Sequence, residues 1–358
     1  MTRFRIFNLA SSADVGDWLE MWNEWPHREV FAHPEYIRLY TAKHGRGLCA
    51  AWRSDAVQVL YPFILRDLAA EAFWDGPEGA LFDIASPVGY AGPFAWGAGD
   101  RETLSQAFWA EFRAWALDHQ VVSEFVRFSL FPGAILRYPG ERWPAANQII
   151  RSLQLEEHAL WMDFDRKVRN NIDKAIRRGV AVEIDQQGAR LSSFLRIYNH
   201  TPHQPRVPES LYFPREYFEQ IHAGLRGQFA YFHAFLDGAP VSTELVLLSE
   251  QSVYSFLGGT VPEALDHHPN DLLKFEIMKW AKQSGKSHYI LGGGHRGADR
   301  IYRRKRAFAP RGQVSYLLGG QVFSGALYAA LVGARQRYGL ERGEEWRPRQ
   351  GFFPAYRG

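Results

Sequence analysis

One stretch, Gln228 to Phe308, restricts the fold more than any other part of the chain. Gln228–Leu236 is apolar enough for a strand, and Asp237-Gly238 after it is a strong hairpin signal. Pro240–Leu248 supplies a second strand, and Glu250-Gln251 turns it into a third, Ser252–Leu257, which Gly258-Gly259 is expected to end. Asn270 is placed to cap a helix running to about Ser284. Leu273, Ile277, Trp280 and Ala281 recur there at helical spacing, and Gly285 stands where a glycine closes a helix. His288–Leu291 is a short apolar strand leading into Gly292-Gly293-Gly294, and Ile301–Phe308 reads as a basic turn. Three antiparallel strands, a crossover helix and a strand parallel to the third make half of an α/β sheet.

The same order occurs earlier in the chain. Phe4–Leu9 is a first strand, and Asp14–Trp25 and Glu35–Lys43 are helices. Gly47–Arg53 and Ala56–Leu65 form a hairpin, Asp83–Phe94 a Gly/Pro loop, Arg101–His119 a helix with Phe108, Phe112, Trp115 and Ala116 on one face, and Val121–Phe131 a strand. Hairpin, loop, helix and strand therefore appear twice without shared sequence. The expectation is two mixed-sheet α/β halves, residues 1–150 and 151–358, with a cleft between them. In the second half Ala159–Phe164 looks like a strand. Asp165–Gly179 looks like a helix that buries Val168, Ile172, Ala175 and Ile176 and sends Arg166, Lys167, Lys174, Arg177 and Arg178 to solvent. Val314–Leu318 is a further strand, Gly319-Gly320 a turn and Ser324–Tyr338 a helix.

At 358 residues the chain has room for two such halves, and 46% hydrophobic with 23% charged residues is the balance of an ordinary soluble globular protein. A net charge of +3 does not demand nucleic acid, so local basic patches matter more than the total. The single cysteine, Cys49, excludes an internal disulfide or a cysteine metal cluster and is read as a small core residue. His200 and His203 flank a proline with no carboxylate at ligand spacing, so no metal is expected. No Gly-x-Ser-x-Gly elbow occurs, which argues against an acyl-enzyme. No run approaches the length of a membrane helix, and a cytoplasmic enzyme without a bound cofactor is the expectation.

Several motifs together resemble the Fem-like branch of the GNAT acyltransferase superfamily. They are Asp83-Ile-Ala-Ser-Pro-Val-Gly-Tyr-Ala-Gly-Pro, Val122-Ser-Glu-Phe-Val-Arg-Phe, the helix from Arg166 to Val180, Ile197-Tyr-Asn-His-Thr with Tyr212-Phe213 and Tyr217-Phe218, and Gly292-Gly-Gly through Asp299-Arg-Ile-Tyr-Arg-Arg-Lys-Arg-Ala-Phe. They span about residues 30–310. The chain departs from the family at Ile290-Leu291, where members often carry Asp, and at Arg304, where they often carry Phe. It also has no long coiled-coil arm. The resemblance implies a tandem duplicated GNAT-like fold and transfer of an acyl group onto an amine. The donor implied is aminoacyl-tRNA, and the acceptor is a peptidoglycan precursor or another small molecule. An acyl-CoA donor in polysaccharide or small-molecule tailoring is the second reading, and a non-catalytic binding module the third.

Amide formation passes through a tetrahedral oxyanion, so the site must position an amine, accept a proton and stabilise negative charge. Lys305 is the candidate for that charge, and the resemblance places the family's catalytic lysine there. The bland alternative is a solvated face, because Arg300, Arg303, Arg304 and Arg306 surround it. Arg169 and Arg127 are candidate anion clamps, with Asp299 an internal alternative partner for Arg169. Gly258, Gly259 and Gly293 flank the expected cleft. Tyr90, Tyr212, Tyr217 and Tyr356 are candidate substrate contacts, and Lys174, Arg177 and Arg178 are candidate tRNA contacts. The loop Thr260–Asn270 carries Glu263 and Asp266 and lacks the glycine cluster that would hold a CoA diphosphate, which disfavours CoA in the usual pose.

Overall fold

The computed structural model describes residues 3–77, 79–200, 213–294 and 299–358. The chain divides into two compact units. The first holds residues up to Trp25, Phe31–Ala145 and Tyr316–Gly358; the second holds Pro26–Val30 and Ala146–Ser315. A single division at residue 150 is therefore corrected. The chain after Tyr316 returns to the first unit because its strand finds its hydrogen-bonding edge there.

The first unit contains β1 (Arg3–Asn8), α1 (Ser12–Glu24), α2 (Pro34–His44), β2 (Arg46–Arg53), β3 (Val57–Asp67), β4 (Phe82–Ala85), β5 (Phe94–Gly97), α3 (Arg101–Asp118), β6 (Val121–Arg127) and β7 (Glu141–Pro144). The second contains β8 (Gln148–Ser152), α4 (Glu157–Met162), α5 (Arg166–Arg177), β9 (Ala181–Asp185), α6 (Leu191–His200), α7 (Arg215–Gly224), β10 (Phe229–Leu236), β11 (Ala239–Leu248), β12 (Ser252–Thr260), α8 (Pro269–Gln283), β13 (His288–Gly292), α9 (Arg300–Arg306) and β14 (Gln313–Val314). β15 (Leu317–Val322) and α10 (Gly325–Glu341) complete the first unit.

The two sheets have one plan. The first runs β1-β2-β3-β4-β6-β15-β7, with β5 also on β3; the second runs β9-β10-β11-β12-β13-β8-β14. In each, four antiparallel strands lead to one parallel junction, β4 with β6 and β12 with β13, followed by antiparallel strands. The doubled element order thus corresponds to doubled topology. Each crossover helix covers its sheet with an apolar stripe: Phe108, Phe112 and Ala116 of α3 in one core, Leu273, Ile277 and Ala281 of α8 in the other. Each of the phenylalanine, leucine and isoleucine side chains among these contributes about 1.5–3 kcal/mol, the alanines less.

Several sequence expectations are corrected. Ala159–Phe164 is not a strand; most of it lies in α4, since the free edge of β13 is already taken by β8 and that of β8 by β14. Phe82–Ala85 at the head of the Gly/Pro loop is a central strand, and it tolerates Asp83 because Arg66 and Arg357 pair with its carboxylate at 2.8 and 2.6 Å. β12 runs through Gly258-Gly259 to Thr260. Gly319-Gly320 is the middle of β15, where a Cβ at either residue would stand 2.6 Å from the ring of Phe128 or Phe353. Ile176 is 53% exposed, whereas Val168, Ile172 and Ala175 are buried as the periodicity predicts. The N-cap of α8 is His268 at φ 55°, two residues before Asn270. Among the described residues no helix is long and apolar enough to cross a membrane.

Candidate active site

The basic run folds as a helix, α9, and that decides which way its cations point. Asp299 caps it, accepting the Tyr302 N–H at 2.8 Å. Tyr302 is buried in the core, and Lys305, three residues on, lies on the same face. Arg300, Arg303, Arg304 and Arg306 are exposed, while Lys305 is half-buried. Its Nζ donates to the Gly293 carbonyl at 2.8 Å. Burial, and then the neighbouring charge of Lys274, push its pKa down to about 8.

Lys305 stands beside the parallel junction of the second unit. β12 and β13 pair only from Ser252–His288 to Tyr254–Ile290. Beyond that, β12 stays with β11 to Thr260 and β13 turns to β8 through Gly292. The strands part, and Gly293 lies just past the parting. Glu244 of β11 is the cross-strand partner of Gly258 and is 3% exposed. Its two carboxylate oxygens are taken by Lys274 of α8 at 2.7 Å and the Tyr289 hydroxyl of β13 at 2.5 Å. Burial alone would raise the Glu244 carboxyl, but the charge of Lys274 and hydrogen bonds from Lys274, Ser255 and Tyr289 outweigh it and hold the group below its ordinary value. A buried ionised carboxylate, one paired ammonium and a second ammonium are therefore gathered where the sheet opens.

The N-terminus of α8 is also occupied. Asp271, buried in its first turn, accepts from Asn171 of α5 at 2.7 Å, with Arg304 at 3.7 Å and His268 at 3.9 Å. A short 3-10 helix, Pro262–His267, precedes it instead of a glycine loop. The protein thus places its own carboxylate where a helix N-terminus would otherwise receive a phosphate.

The other candidates separate. Gly258 is required by close packing: a Cβ there would lie 2.4 Å from the Thr243 carbonyl. Gly259 pairs with Thr243 and gives its carbonyl to the Ser242 hydroxyl at 3.0 Å. Arg169 donates to the carbonyls of Met162 and Phe164, a capping task at the end of α4 in place of a carboxylate such as Asp299. Tyr217 is buried and stacked on Phe213 at 4.0 Å, so it packs instead of lining a pocket. Tyr212 lies outside the described residues, as does His203. Tyr356 is fully buried in the first unit, bonded to Ser123 at 2.8 Å and Asp83 at 3.1 Å, and the expectation of a substrate contact is corrected: it pins the end of the chain to the sheet. Lys174 is half-buried 3.5 Å from His268, Arg178 donates to the Asp266 carbonyl at 2.7 Å, and Arg177 is exposed.

Arg127 and Tyr90 fall together in the first unit. Arg127 donates from its guanidinium to the Ser86 carbonyl at 3.0 Å and lies 4.8 Å over the Phe125 ring. Burial pulls its pKa below the ordinary arginine value. Tyr90 meets Tyr316 edge-on at 5.6 Å. Surface pockets lie elsewhere, among them one lined by Arg5, Asp17, Glu24 and Arg53 and another by Gln186, Glu219, His222 and Arg226.

Reading the sequence missed Glu244, Lys274 and Tyr289. A signal existed: Glu244 is a lone charge in an apolar strand, and Lys274 stands three residues before Ile277 and seven before Ala281, on the buried stripe of its helix.

Comparison with known proteins agrees with this architecture. Residues 163–306 match the family described as an acetyltransferase (GNAT) domain. No curated protein matches the sequence. Among solved structures, FemX is similar at 14% identity and TM-score 0.65, over 88% of this chain and 98% of that one. L-PGS of Bacillus licheniformis is similar at 12% identity and TM-score 0.53, over 91% and 96%. A conserved protein of unknown function from Bacteroides thetaiotaomicron is similar at 11% identity and TM-score 0.52, over 89% and 99%. The chain is thus an α/β protein of two mixed sheets with the fold of FemX, and its residues 163–306 match an acetyltransferase (GNAT) domain.

Proposed function

We propose that the chain forms amide bonds by transferring an acyl group onto an amine at the opened junction of β12 and β13. The observation that carries this is the inward placement of Lys305 on a helix whose four arginines face out. A solubilising basic run has no need to bury its one lysine beside Glu244 and Lys274. In this reading the attacking amine forms a C–N bond to the acyl carbon, Lys305 faces the oxyanion that results, and the ester or thioester bond breaks as it collapses.

Aminoacyl-tRNA is the favoured donor. Asp271 fills the helix N-terminus with negative charge, which repels a CoA diphosphate, and the exposed cations of α5 and α9 suit an RNA backbone. Arg177, Arg178 and Lys174 remain the proposed tRNA contacts, which sets the reaction in the cytoplasm. Arg127 and Tyr90 remain proposed substrate contacts of the first unit, and the acceptor is proposed to be a peptidoglycan precursor or other small molecule bearing the amine. The matched family's description as an acetyltransferase keeps acyl-CoA as the second reading.

The test is to incubate the pure protein with mixed charged tRNAs, or with acyl-CoAs, plus candidate amines, and to follow loss of the acyl group. Loss from charged tRNA alone supports the first donor, and loss from acyl-CoA alone the second. Loss from neither, with amines of both acceptor classes present, leaves a binding module.

A further inference from the structure

The opened junction brings together Lys305, Lys274 and the buried carboxylate of Glu244, and that carboxylate is spoken for. Glu244 gives one oxygen to Lys274 at 2.7 Å and the other to Tyr289 at 2.5 Å, while Lys305 is left with a neutral carbonyl, that of Gly293. An ammonium without an ionised partner, beside another ammonium, is the cheapest proton to lose in such a cluster. We propose that Lys274 is a positioning residue of the reaction centre: by holding Glu244 for itself it keeps Lys305 the odd cation, so that Lys305 both takes the proton of the attacking amine and then, as an ammonium, faces the oxyanion.

This rests on the acyl-transfer reading above and adds a proton path to it. The neutral Nζ of Lys305 accepts one proton from the amine nitrogen as the C–N bond forms. The Lys305 ammonium so created stands opposite the oxyanion at the moment the negative charge exists. When the intermediate collapses, the C–O bond of an ester donor breaks and Lys305 returns the proton to the departing oxygen. Amine and ester become amide and alcohol, and Lys305 ends as it began. A lysine paired with its own carboxylate would stay protonated and do only the second half of this.

The charged groups that act on Lys305 are Lys274 of α8, Glu244 of β11 and Asp299 at the start of its own helix, with Tyr289 of β13 on the second oxygen of Glu244. Lys274 works against its proton, whereas Glu244 and Asp299 work for it. The arrangement therefore makes opposite predictions for the two members of one ion pair. Glu244→Gln removes the carboxylate between the two cations and leaves Asp299 alone to favour the proton, so Lys305 loses its proton at lower pH. Lys274→Met removes the competing cation, so Lys305 holds its proton to higher pH. The pair Glu244→Gln with Lys274→Met removes both charges and returns Lys305 towards its starting value. A merely structural ion pair would weaken folding in both single variants without moving Lys305 in opposite directions.

The experiment is an NMR titration of lysine side-chain nitrogens in the full chain, with Lys305 assigned by the signal lost in Lys305→Arg, alongside the pH–rate profile of acyl transfer. The expected midpoint is about 8, moving by about one unit down in Glu244→Gln and up in Lys274→Met, with the lower limb of the rate profile following it. If one single variant does not fold, the other and the double variant carry the comparison. A midpoint near the ordinary lysine value of about 10.4, shifts of one sign, or a rate limb that ignores the titration would overturn the proposal. The titration needs no substrate. If it behaves as expected while no donor is consumed, the tuning by Lys274 stands and the acyl-transfer reading falls.

Discussion

The first unit seals its parallel junction and the second leaves its own open. Between β4 and β6 the pairing continues past Ala85: Ser86 donates to the Phe125 carbonyl at 2.9 Å, Ala91 to the Arg127 carbonyl at 2.8 Å, and Ser129 to the Ala91 carbonyl at 2.7 Å. Between β12 and β13, among the described residues, it stops at Tyr254 and Ile290. Each unit also buries a glutamate, to different effect. Glu124 of β6 accepts from Tyr61 at 2.5 Å and Gln321 at 2.8 Å, both neutral, and burial pushes its carboxyl up to about 7. Glu244 faces Lys274 and stays ionised. One topology thus yields a junction whose buried acid has neutral partners, and another, the proposed reaction centre, whose buried acid has a cation and whose strands diverge. Within a duplicated fold, function is told by what fills the junction.

The largest effect that would sharpen this contrast is on stability. Glu244→Gln leaves Lys274 buried without its counter-charge and is expected to cost about 3–5 kcal/mol in chemical denaturation. Glu124→Gln keeps the hydrogen-bonding shape and removes no ion pair, so at pH 7 it should cost less than about 1 kcal/mol. Equal losses in the two variants would erase the distinction between the junctions.

The pH dependence should also differ. Glu124 has its folded pKa raised from 4.5 to about 7. Its contribution is therefore fully present below about pH 4.5 and is lost as pH rises through 7. The loss is on the order of 3 kcal/mol at about 1.4 kcal/mol per unit. Glu244, with its folded pKa lowered, contributes above its unfolded value and loses that contribution as pH falls through the folded one. Subtracting the stability–pH curve of Glu124→Gln from that of the wild type should leave a curve falling between pH 4.5 and 7. A flat difference would show that Glu124 does not carry a raised pKa.

The smallest expected effect concerns the basic face of α5. Replacing Arg177 and Arg178 by Gln should flatten the salt dependence of tRNA binding by about one to two units, at about 0.7–0.9 per phosphate contact. The reaction of a small acyl donor should be untouched. An unchanged slope would make α5 an ordinary solvated surface and move the donor towards acyl-CoA.

The hairpins, crossover helices and parallel strands were legible because their periodicity and turn residues are local. Asp237 at φ 50° and Gly238 at φ 76° form the turn their sequence announces. The exchange of strands between units was not legible. Whether β15 joins β6 or a neighbour of β13 depends on which edge is free, and no local pattern reports that. At the candidate site, the motif proposes Lys305, but its inward direction depends on α9 being a helix and not a turn. Glu244, Lys274 and Tyr289 were missed because each is unremarkable alone; their meaning appears only when β11, α8 and β13 bring them within hydrogen-bond distance. Arg169 and Tyr356 were misread for the converse reason, since polar groups in apolar settings were satisfied by carbonyls and by Ser123 and Asp83.

The most direct test of the difference between the units is single-turnover acyl transfer by Lys305→Ala, with folding checked by circular dichroism. If the opened junction is the reaction centre, the variant folds and transfers about a hundred- to a thousand-fold more slowly than the wild type. Undiminished transfer by folded Lys305→Ala would contradict the account, because the chemistry would then lie outside the opened junction of β12 and β13.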